Sequence, residues 1–237
     1  MLNALRIFKD QKRQNESKGL VRSPYSYFFR WRKSLISNSS SIADEQPWLT
    51  FEAIDFLKKN LHKQDAVFEY GGGGSTLFFL NHVGEVATVE HNQEWFDILT
   101  KKVQEKRAKN WKGNFVAGEK GDLVAAPDAS EPTHYSSADK ESKGLNYKRY
   151  ASAIDHFPDG HFTCVVVDGR SRPSCMVHAL PKIKPGGWLV LDNSDRRYYT
   201  EKTEKLLAAS FEKITDSVGP SPYSRAFTKT TIWKKIK

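Results

Sequence analysis

With 237 residues, 38% hydrophobic side chains and 12% aromatics, the chain has material for one large α/β domain with an accessory segment. No apolar run approaches the length of a membrane span, and the first residues lack the apolar stretch and small-residue cleavage site of a secretory leader, so a cytoplasmic protein is expected. The net charge of +9 raises nucleic acid as a partner, but it sits at the ends: residues 1–42 hold nine basic and two acidic side chains, residues 225–237 five and none, which leaves the centre slightly negative.

Residues 1–43 form a basic arm and linker. Lys and Arg alternate with Phe28, Phe29 and Trp31, and the arm runs into the Ser/Asn-rich stretch 37–41. Such an arm is expected outside the core of a domain spanning 44–237, where residues 1–42 suit nucleic acid or an anionic membrane; the alternative is a solvated extension partly packed on the domain. A helix is predicted from Asp44, with Pro47 in its first turn and Trp48, Phe51, Ile54, Phe56 and Leu57 on its apolar face.

Strands follow at 66–70 and 85–90 with a helix at 75–82 between them, and Asn92 caps a helix carrying Trp95, Ile98, Leu99 and Val103 on one face. A short strand is predicted at 114–117. Residues 119–146 have no periodicity and read as a long functional loop, a lid whose Tyr135, with Tyr147 and Tyr150 just beyond, would line a pocket for a small or sugar-like molecule; the alternative is that the tyrosines are packing residues. A helix at 147–157 leads to the continuously apolar strand 162–168, a helix at 174–183 and a strand at 188–193. The end changes character: 213–218 and 226–233 are two strands in succession. The pattern predicts an α/β, doubly wound, mixed seven-stranded sheet, mostly parallel with an antiparallel C-terminal hairpin strand. Cys164 in a strand and Cys175 in the next helix read as buried thiols.

The most telling stretch is Val67-Phe-Glu-Tyr-Gly-Gly-Gly-Gly-Ser-Thr76, an apolar strand breaking into four glycines that open a helix. Glycines let the backbone approach a ligand closely, and a helix start offers free N–H groups. A dinucleotide fingerprint would place a third glycine where Thr76 stands, and Glu69 just before the turn would repel a pyrophosphate but suit a cationic amino-acid group. Glu90 ends the next strand, where an acid is placed for the two hydroxyls of a ribose.

Glu69-x-Gly71-x-Gly73-x-Ser75, followed one βα unit later by Glu90, resembles motif I of the class I S-adenosylmethionine-dependent methyltransferases. The stretch Lys184-Pro-Gly-Gly-Trp-Leu-Val-Leu-Asp192 resembles their fifth-strand region, and the hairpin ending is typical of their fold. The resemblance implies S-adenosylmethionine as cofactor, with Gly71, Gly73 and Ser75 around its methionine part, Glu69 near its amino group, Glu90 on the ribose and His91 in the cofactor wall. It also implies methyl transfer to an unidentified acceptor, anionic or small and hydroxylated, with oxygen slightly favoured. The alternative is a non-catalytic module of the same fold that recruits an anionic partner through its arm.

Asp168 and Asp192 are the candidate catalytic residues, at the ends of strands four and five. With Asn193 they resemble the magnesium site of catechol- and caffeoyl-type O-methyltransferases. There a lysine three residues after the strand-four Asp serves as base, and here that position is Ser171, so magnesium is not favoured and no metal ligand is assigned. In the competing reading Asp168 positions cofactor and substrate, while Arg170, Arg172, Arg196 and Arg197 either draw in an anionic acceptor or cap helices and pair with nearby acids. His91, His156, His161 and Tyr147 are candidate bases.

Overall fold

A computed structural model describes residues 2–36, 38–121 and 124–237; Ser37 of the expected linker and Asp122 and Leu123 of the long loop lie outside the described residues. Seven principal strands build the central sheet: β1 Ala66–Tyr70, β2 Glu85–Glu90, β3 Trp111–Phe115, β4 Phe162–Val167, β5 Ile183–Asp192, β6 Phe211–Thr215 and β7 Thr228–Lys235. Their order is β3-β2-β1-β4-β5-β7-β6; the first five are parallel and β7 runs antiparallel to both neighbours. A short strand, Val218–Gly219, extends the sheet by pairing with β7. The mixed sheet with its antiparallel closing hairpin is the predicted architecture.

Beta-branched residues make β4 the centre of this sheet: every residue from Phe162 to Val167 is buried, as a strand covered on both faces requires. One face carries α3 (Phe51–Asn60), α4 (Gly74–His82) and α5 (Gln93–Glu105), and the other α6 (Arg172–Lys182). The strand order reverses between β1 and β4. There the first turns splay apart and leave a crevice at the carboxyl ends, the general ligand position of open α/β sheets.

The basic arm departs from expectation. It folds as α1 (Leu2–Asn15) and α2 (Phe28–Ser34), and Phe8 and Trp31 are fully buried in the same core as α3 and α4. Trp31 Nε1 donates to the Ser224 carbonyl at 2.7 Å, Phe8 packs edge-on against Phe227 at 5.0 Å, and Leu20 bridges to Val218. An arm predicted outside the core is thus part of it, because Phe8 on α1 and Phe28 and Trp31 on α2 turn inward while Arg6, Lys9, Arg13, Arg32 and Lys33 face out; Phe29 is left on the exposed side. Burying side chains of this size is worth about 1.5–3 kcal/mol each, enough to outweigh a solvated arm.

The segment before α3 also differs. Thr50, not Asp44, caps the helix, accepting from Ala53 N at 3.4 Å, and Asp44 to Trp48 lie in turns and loop outside it. Cys164 and Cys175 are buried and free.

Candidate active site

Above the glycine turn lies a cleft of about 430 Å³, within the size range of small-molecule sites. Two glycines are needed for the backbone itself. Gly71 has φ +92°, and a Cβ there would meet the Gly169 backbone at 3.1 Å; a Cβ on Gly74 would lie 2.0 Å from the Ser41 carbonyl oxygen. Gly73 differs. Its backbone is extended, and a Cβ there would first meet the Trp95 ring of the cleft wall, in van der Waals contact at 3.4 Å.

Glu90 forms the cleft floor. Its Oε2 accepts from Gly72 N at 2.9 Å and its Oε1 from His91 N and Asn92 N at 2.8 Å each, while the His91 ring nitrogen Nδ1 stands 2.9 Å away. Burial raises this carboxyl, but the His91 contact and the backbone N–H bonds outweigh it and hold it below the usual range, so it is an anion at neutral pH. Asn92 caps α5 by accepting from Trp95 N at 2.9 Å, which swings Trp95 and Ile98 over the cleft as a half-exposed wall. The sequence reading placed these two on the apolar face with Leu99 and Val103, and only the latter pair is buried.

Glu69 does not face this cleft. It is fully buried beneath the turn and accepts from the hydroxyls of Thr76 and, at 3.2 Å, Thr88, while the Thr76 hydroxyl accepts from Gly73 N at 3.0 Å. Thr76, standing where a dinucleotide site wants glycine, therefore ties the buried acid to the turn. The other oxygen of Glu69, Oε1, is buried without a partner, and burial pushes the carboxyl up to about 8. Gly71, Gly73, Ser75, Glu90, His91 and Asp168 are brought together around the cleft, and Glu69 supports them from below.

A second cleft, also about 430 Å³, adjoins the first and shares two walls with it, Trp48 and Asp168. Asp168 is about a third exposed and pairs with Arg172 at 3.0 Å. Asp192 is buried and accepts from the Thr230 hydroxyl at 2.7 Å; burial first and the Asp168 charge second push it up to about 8. The far wall is the loop 221–228. Ser221 is 0% exposed, and its hydroxyl has no hydrogen-bond partner.

The four arginines divide. Arg172 is no lure for an anion: it is buried and clamps strand ends, donating to the carbonyls of Gly169 and Asp192 at 3.1 and 2.6 Å as well as pairing with Asp168. Arg197 is exposed beside Glu201, Arg170 lines the first cleft while pairing with Asp139, and Arg196 lines the second. Of the candidate bases, His91 alone borders a cleft; His161 pairs with Glu85 at the opposite strand ends, and His156 closes a short helical turn away from both clefts. Tyr147 and Tyr150 are buried packing residues and Tyr135 contacts His178, so the expected tyrosine pocket is not formed. Sequence reasoning missed Trp48 and Ser221, which no local motif marks.

Among the described residues no group of three His, Cys, Asp or Glu side chains is placed to hold a metal ion, and no helix is long and apolar enough to cross a membrane.

The strand order, the closing hairpin and the crevice at the switch point define the class I methyltransferase fold, and the chain has it. No protein-family model and no curated protein matches the sequence. Solved structures do match. A protein assigned as an O-methyltransferase from Klebsiella pneumoniae aligns with 99% of this chain and 99% of its own at TM-score 0.55 and 11% identity. One assigned as a methyltransferase from Streptococcus mutans, solved in complex with SAH, aligns over 77% of this chain and 94% of its own at TM-score 0.53 and 11% identity. A methyltransferase-like protein from Silicibacter pomeroyi aligns over 81% and 90% at TM-score 0.50 and 22% identity. At such identities the likeness is one of fold.

Proposed function

We propose that the protein is an S-adenosylmethionine-dependent methyltransferase. The observation that carries this is Glu90: an ionised carboxylate at the end of β2, fixed by three backbone N–H groups and facing a glycine-walled cleft, is a pre-set double acceptor for ribose hydroxyls. The residues present fit the cofactor. Gly73 leaves room beside Trp95, Gly71 and Ser75 border the space for the methionine part, and His91 walls the nucleoside side. In this reading Glu69 acts from below, through Thr76, on the shape of the turn. When bound, the cofactor supplies an activated methyl group on a sulfonium. The protein's share is then to orient the acceptor in line and to take its proton, and Asp168, at the junction of the two clefts, is the carboxylate for that task, with Asp192 behind it keeping the strand ends in register. The test is calorimetric titration with S-adenosylhomocysteine against NADH: binding of the former alone is expected, and the reverse would point to an oxidoreductase. Activity surviving EDTA is expected; loss in EDTA with recovery on magnesium would restore the metal reading of Asp168, Asp192 and Asn193.

A second role rests on the arm. Arg6, Lys9 and Arg13 on α1 and Arg32 and Lys33 on α2 are exposed, and no ion pair engages them among the described residues. In this reading the arm both completes the core of the 44–237 domain and holds an anionic partner, nucleic acid or membrane, by its outer face, with affinity that falls steeply as salt is raised. An affinity indifferent to salt would contradict it.

A further inference from the structure

The second cleft is a built site rather than a fold in the surface. Its back wall holds Ser221, fully buried with an Oγ that bonds to nothing. A buried hydroxyl without a partner costs the free protein stability, and the cost is relieved by a ligand hydroxyl or amine within hydrogen-bond reach. Carboxyls outnumber cations in the rest of the wall: Asp168, Asp192 and Asp195 line it with the guanidinium of Arg196, and Arg172 pairs with Asp168 from behind the lining at 3.0 Å. Asn193 spends one amide N–H on Thr228 at 3.2 Å, which leaves its carbonyl oxygen for a donor and its second N–H for an acceptor. The cleft is also lined by Trp48, whose ring is perpendicular to that of Tyr223 at 5.9 Å and about half exposed, apolar surface that a flat, C–H-bearing ligand can cover. An anion placed here would meet the Asp168 and Asp195 carboxyls, with Arg196 as the one lining cation.

We infer that this cleft is the methyl-acceptor site and that it takes a neutral or cationic polyol ring, a sugar or amino sugar, seated on Trp48 with its hydroxyls or amine toward the carboxyls and Ser221. The inference rests on the methyltransferase reading of the first cleft and narrows it: of the two acceptor classes the sequence left open, anionic or hydroxylated, the cleft selects the second. The loop that forms the site is held by the arm, through Trp31 Nε1 to the Ser224 carbonyl, Tyr223 N to the Ser34 hydroxyl at 3.1 Å, and Phe227 N to the Gln11 side chain at 2.9 Å. Residues far apart in the chain thus meet only in the folded protein.

The experiment is titration of the full chain, saturated with S-adenosylhomocysteine, with glucosamine, glucose, glucose 6-phosphate and tRNA, repeated on Ser221→Ala. Glucosamine is expected to bind more tightly than glucose, with glucose 6-phosphate undetected and tRNA, if held by the arm, bound equally by wild type and variant. Ser221→Ala should weaken glucosamine about fivefold while raising the melting temperature of the free protein by about 2–4 °C, a pairing that a purely structural serine would not show. Tighter binding of glucose 6-phosphate than of glucosamine, no binding of either uncharged or cationic sugar, or a Ser221→Ala protein with unchanged sugar affinity would each overturn the inference. Failure of S-adenosylhomocysteine to bind at the outset would instead remove the methyltransferase reading, and this inference with it.

Discussion

The two clefts share Trp48 and Asp168 but are built in opposite ways. The first is mostly local: the glycine turn, the start of α4, the end of β2 and the first turns of α5 supply most of it from one continuous stretch, completed by Ser41, Trp48 and residues 168–170, and its hydrogen bonds join neighbours along the chain or across adjacent strands. The second is assembled from residue 48, two strand ends and the loop 221–228, and that loop is held in place by the arm at the other end of the chain. A local site survives insults elsewhere in the fold, whereas an assembled one fails with any of its supports. Cofactor binding and acceptor binding should therefore be separable by mutation.

Trp31→Ala is the largest expected break. Removing a fully buried indole costs about 3–5 kcal/mol, and it cuts the tie to Ser224. Chemical denaturation should show that loss, and at temperatures where the variant is still folded sugar binding should fall more than S-adenosylhomocysteine binding. Equal losses in both would erase the distinction between the clefts.

Acidity sharpens the same contrast from beneath. Glu69 and Asp192 each have a carboxyl raised to about 8 in the folded protein, so the stability they favour is present below the unfolded carboxylate value near 4 and is lost as pH rises through 8. The unfolding free energy of the free protein should fall between pH 5 and 8, by an amount on the order of a few kcal/mol, and its melting temperature with it. Glu69→Gln should flatten the part of that slope due to the turn. An unchanged slope in this variant would mean that Glu69 is ionised throughout.

Smaller still is the effect of glycine replacement, where position decides the outcome. Gly74→Ala drives a Cβ into the Ser41 carbonyl and should cost about 1–3 kcal/mol, while Gly73→Ala meets only the Trp95 ring and should stay within about 0.5 kcal/mol of wild type. Gly73→Ala should nonetheless weaken S-adenosylhomocysteine about tenfold, because the added methyl stands against the Trp95 ring of the cleft wall. Calorimetry beside thermal melts separates the two numbers.

The difference in construction also explains what the sequence could tell. Motif spacing from Val67 to Asn92 fixes which residues meet, because a strand, a turn and a helix of known rise leave little freedom, and so Gly71, Gly73, Ser75, Glu90 and His91 were legible around one cleft. Glu69 was legible as important but not as buried, since its burial depends on Thr76 and Thr88 closing over it. Trp48 was read as a helix face residue because Asp44 and Pro47 imitate a helix start, and Thr50 won by capping in place. Arm composition is dominated by charge, so the apolar spacing of Phe8, Phe28 and Trp31 was outweighed although it carries the packing. Arg172 looked like a ligand group because nothing in the sequence says that its partners are strand-end carbonyls.

The central claim is that Glu90 holds the ribose of an adenosyl cofactor, and calorimetric titration of wild type and Glu90→Ala with S-adenosylhomocysteine tests it most directly. A hydrogen-bonded charged acceptor of this kind is worth about 1.5–3 kcal/mol, so wild type should bind and the variant should bind roughly ten- to a hundredfold more weakly with its fold intact by circular dichroism. Absence of binding to wild type, or equal affinity in a folded Glu90→Ala protein, would contradict the account.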